Sequence, residues 1–286
     1  MERKNYELLL ASIAAAATGW LLLDALILEK HYFEIKKFDI GDPDKHKSKI
    51  KILFVTDLHL QKELTKTYKK LARKINGINP DLLFFGGDSV DQWGTEEALE
   101  DFLKLLRHKI QKVAILGNHE RAANLDISLL KEIYKKYNAD LLINKSKAYL
   151  IKNKRIMVTG LDDIVFGCPN FKKAVKKVGK EENHFVLIHS PYQQEDTKLV
   201  LEKINSQRAE GEKLNISYFF AGHNHGGQVN LFGFAPVLPR KSGTFVEGWY
   251  NEEKPYLYLS KGFGTSSLPV RFGARAEITL FRYAIS

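Results

Sequence analysis

The chain has 286 residues, 44% hydrophobic and 11% aromatic, enough to build a sizeable core and to exclude wholesale disorder. A single cysteine, Cys168, excludes an intramolecular disulfide and any thiolate zinc cluster, since both need at least two. Lys and Arg number 44 against 34 Asp and Glu; the resulting charge of +10 suits an anionic partner, although excess lysine also simply keeps a protein soluble.

The N-terminus differs from the rest. Leu8 to Leu28 is a nearly unbroken apolar run, LLLASIAAAATGWLLLDALIL, with Asp24 its one charge. About 20 residues at 1.5 Å each span a roughly 30 Å hydrocarbon core, so the run is expected to form an N-terminal transmembrane helix. A cleaved signal peptide is the main rival, but its apolar region is about 7–15 residues and ends on small residues. Here Ala14 to Ala17 lie inside the run, and bulky Trp20, Leu21 and Ile27 follow them. A buried core helix is the third reading. Arg3 and Lys4 precede the run, whereas Lys30, Lys36, Lys37, Lys45 and Lys47 follow it, which leans towards a cytoplasmic catalytic domain. The expectation is a single-pass anchor of the cytoplasmic (inner) membrane at residues 1–30. Residues 31–48 read as a tether or short leading strand, and residues 49–286 as the catalytic domain.

From Lys49 onward, short apolar runs alternate with helical periodicity. KILFVTD (51–57), DLLFFGGD (81–88) and VAILGN (113–118) predict strands, each stopping at a polar or glycine-containing turn. Leu64, Tyr68, Leu71 and Ile75 recur at helical spacing, as do Leu99, Phe102, Leu103 and Leu106 behind a Thr95–Glu97 start signal. RIMVTGLD, HFVLIHS, ISYFFAGHNH, YLYLSKG and AEITLF continue the strand series. The alternation predicts parallel strands with crossover helices. So many strands in one domain require two packed sheets flanked by helices.

The chemistry lies at the strand ends. Asp57 and His59 follow the first run, Asp88 ends the second, and Asn118 with His119 ends the third. His189 ends HFVLIHS, and His223 and His225 end ISYFFAGHNH. Taken singly, an Asp in such a place is usually a turn residue or helix cap, and a His usually a hydrogen-bonded structural residue. Five strands stopping in the same way is another matter, because ligand sites of α/β sheets form beyond the carboxyl ends of strands. The set supplies mixed nitrogen and oxygen donors suited to two divalent cations. His31, His46, His108 and His184 lack such partners and read as structural.

D-L-H, G-G-D, G-N-H-E, a strand ending in H-S, and G-H-N-H together resemble the calcineurin-like metallophosphoesterases, over about residues 49–283. G-H-N-H-G-G-Q (222–228) and K-G-F-G-T-S-S-L-P-V-R-F (261–272) are similar to one branch of that family. It holds membrane-associated YkuE/YaeI-like phosphodiesterases and the UDP-2,3-diacylglucosamine pyrophosphatases of lipid A synthesis. The resemblance implies a four-layer αββα sandwich and two divalent metal ions; a ligand set of imidazole and carboxylate without thiolate favours Mn²⁺, with Fe or Zn as alternatives. It implies Asp57, His59 and His225 on the first ion, Asn118, His189 and His223 on the second, and Asp88 bridging both. His119 would stay off the metals and act on the phosphate as the catalytic acid. Protein Ser/Thr phosphatases continue G-D-x-V-D-R-G, but Gln92 stands here in the place of that arginine, which speaks against a protein phosphatase.

For substrate, the stretch from Leu231 to Phe272 carries Phe232, Phe234, Trp249, Tyr250 and Phe263 beside Arg240, Lys241, Lys261 and Arg271. Apolar groups for acyl tails and cations for a pyrophosphate suit a lipid-like phosphorylated substrate at a membrane, with Arg271 on the substrate phosphate. UDP-2,3-diacylglucosamine is the leading expectation, and a phospholipid phosphodiesterase of broad specificity the alternative. A nuclease and a non-catalytic scaffold stand further back: an anchor argues against nucleic acid, and filled ligand positions argue against a scaffold. Oligomeric state is left open.

Overall fold

The computed structural model describes residues 2–285 apart from 24, 27, 28, 30, 31, 43, 45–47, 232, 267 and 268. Expectations placed on Asp24, Ile27, Leu28, Lys30, His31, Lys45, His46, Lys47 and Phe232 therefore lie outside the described residues.

The apolar runs form two six-stranded sheets. The first holds β1 (Glu34–Gly41), β2 (Lys49–Val55), β3 (Leu82–Phe85), β4 (Gln111–Ala114), β5 (Ala139–Leu141) and β12 (Glu277–Ala284), in the order β1-β12-β2-β3-β4-β5. The second holds β6 (Lys145–Ile151), β7 (Lys154–Gly160), β8 (His184–Leu187), β9 (Tyr218–Ala221), β10 (Gly248–Tyr250) and β11 (Tyr256–Leu259), in the order β10-β11-β9-β8-β7-β6. Strands β2, β3 and β4 run parallel to one another, as do β7, β8, β9 and β11, while β12 is antiparallel to β2. Of residues 31–48, Glu34–Gly41 form β1, which pairs parallel with β12.

Three apolar cores separate four layers. Between the sheets lie Phe54, Phe84, Phe185, Phe220 and Phe281, fully buried. Truncating such a ring to Ala costs about 3–5 kcal/mol. Outside the first sheet pack α2 (Lys66–Ile78), α3 (Glu96–Lys104) and α5 (Ile127–Lys136), each through an apolar stripe such as Leu71, Ala72 and Ile75. Outside the second pack α6 (Phe171–Ala174) and α7 (Gln193–Asn205). A short helix, α4 (Asn118–Ala122), sits at the site itself. The αββα sandwich is thus present.

The expected transmembrane helix is not. Helix α1 (Glu2–Leu23) has 22 residues, yet no helix among the described residues is long and apolar enough to cross a membrane. The charged start of the helix shortens its apolar stretch. Its first turns hold Glu2, Arg3, Lys4 and Glu7, so the apolar part is residues 8–23. At 1.5 Å per residue that part reaches about 24 Å, short of a roughly 30 Å hydrocarbon core. Residues 24, 27 and 28 of the apolar run lie outside the described residues.

Candidate metal centre

Parallel strands in both sheets end at one edge, and the loops beyond β2, β3, β4, β8 and β9 carry the polar side chains. The loops are stitched together by their own backbone. Asp57 N–H donates to Gly87 O at 3.1 Å, His59 N–H to Asp88 O at 2.9 Å, and Gly222 N–H to His189 O at 2.9 Å. Asp57, His59, Asp88, His223 and His225 all adopt left-handed backbone, with φ between 48° and 76°. For a non-glycine residue each such angle costs about 1–3 kcal/mol, and the surroundings must hold it in place. Two glycines make the close approach possible. A Cβ on Gly117 would stand 2.1 Å from Asp88 Oδ1, and one on Gly222 would stand 2.3 Å from Asp57 Oδ2.

The side chains form two groups around Asp88. In the first, His59 Nε2 lies 3.0 Å from His225 Nε2, and His225 Nε2 lies 3.7 Å from Asp57 Oδ1. In the second, His189 Nε2 lies 3.2 Å from Asp88 Oδ2 and 3.1 Å from Asn118 Oδ1. The His223 ring stands 5.0 Å from that of His189. Asp88 Oδ2 is also 3.8 Å from His59 Nε2, so one carboxylate faces both groups. All the sequence-derived metal candidates are therefore brought together: Asp57, His59 and His225 could hold one ion, Asp88, His189 and His223 another, with Asn118 against His189, and His59, Asp91 and His119 form a third such group.

The far nitrogens decide which way the lone pairs point. His189 donates Nδ1–H to Gly86 O at 2.8 Å, and His223 donates Nε2–H to Arg240 O at 2.8 Å. His59 Nδ1 faces Asp91 Oδ2 at 3.2 Å. With its hydrogen turned to Gly86, His189 Nε2 aims a lone pair at two oxygens, an arrangement that repels unless a proton or cation lies among them. This donor chemistry fits a divalent cation with imidazole and oxygen ligands.

Electrostatics tell the same story. Burial alone would lower His189, but the carboxylates of Asp88, Asp57 and Asp163 outweigh it and hold the imidazole well above its usual range. Burial alone would raise Asp88, but the imidazoles of His189, His119 and His59 pull its carboxyl well below the ordinary range. Burial and repulsion from His189 push His223 down to about 4, which keeps it neutral as a metal ligand must be.

His119 stands beside the first group, its ring 4.4 Å from that of His59, and its Nε2 4.0 Å from Asp88 Oδ2. Its Nδ1 meets Gln92 N–H at 3.2 Å and Asp91 Oδ2 at 3.4 Å, contacts that demand opposite protonation of the same atom. The carboxylate prevails, because an imidazolium–carboxylate contact is charge-assisted. Burial lowers His119, yet Asp91 and Asp88 more than compensate, and its net shift is upward.

Two functional residues escape the sequence reading. Asp91 faces both His59 and His119. Glu120, fully enclosed, accepts the backbone N–H groups of Asp88, Ser89, Val90 and Gly117 at 2.5–3.1 Å and so shapes two of the loops. Both stood within the quoted G-D-x-V-D and G-N-H-E patterns, which was the available signal.

Arg271 is a correction. Expected on substrate phosphate, it is 0% exposed. Its guanidinium donates to the carbonyls of Lys261, Gly262, Gly264 and Ala274 and meets His225 Nδ1 at 3.2 Å. No face is left for a ligand. Lys261 is likewise engaged, with Glu34, Glu247 and Glu277, and Phe263 is core. Trp249 packs against Phe38 and Tyr258 and stays partly exposed, and Phe234 is more exposed still. His184 is buried on Thr159 Oγ1 at 2.7 Å, away from the site.

Residues 50–227 match the model of the calcineurin-like phosphoesterase family, and the chain belongs to that family. Its members use a dinuclear divalent metal site, and the protein is a metal-dependent phosphoester hydrolase. It is similar to the uncharacterized metallophosphoesterase YkuE of Bacillus subtilis, at 27% identity over 81% of this chain and 78% of that one. YpbG of the same organism is 26% identical over 94% and 92%. The UDP-2,3-diacylglucosamine pyrophosphatase LpxG of Chlamydia muridarum is 24% identical over 96% and 95%.

Proposed function

We propose that the protein hydrolyses the pyrophosphate or phosphodiester bond of a lipid-like substrate of the UDP-2,3-diacylglucosamine type, using two Mn²⁺ ions. The observation that carries the chemistry is the Asp88 carboxylate set between two donor groups, with His119 beside it. Similarity to LpxG along nearly the whole of both chains supports the substrate class. Asp57, His59 and His225 would hold one ion and Asn118, His189 and His223 the other, with the Asp88 carboxylate facing both groups. Once bound, such a pair supplies Lewis acidity and a nucleophile at neutral pH. His119 delivers its Nε2 proton to the leaving oxygen, while Asp91 steadies Nδ1. Incubating purified enzyme and Mn²⁺ with UDP-2,3-diacylglucosamine, phospholipids and single-stranded DNA, followed by product identification, tests the reading. Release of UMP and the lipid monophosphate supports it. Turnover of phospholipid alone would point to the broader phosphodiesterase, and turnover of DNA alone to a nuclease.

A further inference from the structure

The turn after Asp91 carries a side chain that the metal centre does not use. Trp93 is 73% exposed, more than any other aromatic side chain among the described residues. A single exposed aromatic is ordinary on a protein surface, but the place of this one is not. It follows Gln92, the position at which the sequence leaves the protein-phosphatase pattern. Its N–H donates to Asp91 Oδ1 at 3.0 Å, while Oδ2 of the same carboxylate faces His59 at 3.2 Å and His119 at 3.4 Å. The turn is held tightly against the loop after β2. Asp91 N–H donates to Leu60 O at 2.9 Å and Gly94 N–H to Asp91 O at 2.8 Å, and a Cβ on Gly94 would stand 2.2 Å from Leu60 O. The indole therefore springs from a fixed base at the rim of the metal centre.

A groove of about 490 Å³ runs past it, lined by Trp93, Gln61, Lys62, Glu63 and Thr65. A second groove, of about 280 Å³, shares Gln61, Glu63 and Thr65 and reaches His59 of the first donor group. The shared wall joins the metal centre to the indole. The lining of the outer groove decides what kind of group it suits. It holds one large apolar surface, which is flat, and beside it an amide, an ammonium, a carboxylate and a hydroxyl. An acyl chain gains little there, because its methylenes would lie mostly against polar groups that want water. A nucleobase finds a ring to stack on, and donors and acceptors for its own edge.

We propose that Trp93 is a specificity residue: it stacks on the base of a nucleotide substrate whose phosphate lies on the metal centre, with Gln61 and Glu63 at the edge of the base. The base site rests on the phosphoester chemistry proposed for that centre and is independent of the lipid. Titration calorimetry of the full chain loaded with Mn²⁺ tests it, using UMP and ribose 5-phosphate, which share sugar and phosphate and differ by the base. The wild type should bind UMP about 10-fold more tightly, or better. Trp93→Ala should bring the ratio of the two affinities close to one. Trp93→Phe, which keeps a flat ring, should restore most of it, as a merely structural role would not require. Equal affinity of the wild type for the two, binding of neither, or a ratio that survives Trp93→Ala overturns the proposal. So does a Trp93-dependent preference for glucosamine 1-phosphate over UMP, which would put a sugar on the indole. Turnover of UDP-2,3-diacylglucosamine separates the two levels. If that lipid is left intact while UMP keeps its Trp93-dependent advantage, the lipid reading falls and the base site stands.

Discussion

The two halves of the metal centre are held by different materials. Around the second, His189 and His223 are oriented by backbone carbonyls, Gly86 O and Arg240 O, which no side-chain substitution removes. Around the first, His59 leans on the Asp91 carboxylate and His225 faces the Arg271 guanidinium. Backbone orienters make a half-site robust. Side-chain orienters make it tunable, and they join it to groups with other work, since Asp91 also meets His119.

That contrast can be broken most severely at the one group both halves share. Asp88→Asn should empty both half-sites and lower turnover by about 10⁴-fold or more, since several kcal/mol of charge stabilisation goes with the ions. Elemental analysis reads the outcome; one retained equivalent of metal would show that Asp88 serves a single half. Next comes His119→Ala, which should keep both metals and lose about 10³-fold in turnover. The loss should shrink for a nitrophenolate leaving group, which needs little protonation. Metal lost in parallel would make His119 a ligand.

Asp91→Asn sharpens the difference between the halves. It should weaken metal binding about 10–100-fold at the first half-site and leave the second unchanged, as titration calorimetry would resolve into two steps. Equal weakening of both steps would remove the distinction. The smallest effect concerns a histidine belonging to neither half. Burial pushes His184 down to about 4, so the folded protein refuses a proton that the unfolded chain accepts near 6.5. Stability should therefore fall as pH drops from about 6.5 towards 4. His184→Asn should flatten that part of the melting profile of metal-free protein; an unchanged profile would assign the slope elsewhere.

The strand-end residues were legible because each is a polar side chain closing an apolar run, and the topology of parallel strands gathers such ends at one edge. The sandwich was legible for the same reason of periodicity. Asp91 and Glu120 were harder to see, because what they do depends on contacts across loops that spacing does not encode. The sequence pattern gave Arg271 a charge but not a direction, and its fork turned inward to carbonyls. At the N-terminus, hydropathy counted an apolar run from Leu8, but the helix that carries it opens on Glu2, Arg3, Lys4 and Glu7, and no helix among the described residues is long and apolar enough to cross a membrane.

The place of β12 has a consequence for synthesis on the ribosome. The last strand of the chain lies between the first two, in register from Glu34↔Glu277 to Gly41↔Ala284 on one side and against β2 on the other. Until residues 277–284 emerge, β1 has no neighbour, and β2 shows an unpaired edge to the cytosol or to whatever guards it. The strip around Arg271 that braces His225 emerges just before them. The first sheet thus keeps an open slot until residues 277–284 are made, and the enzyme closes only when they slide into it.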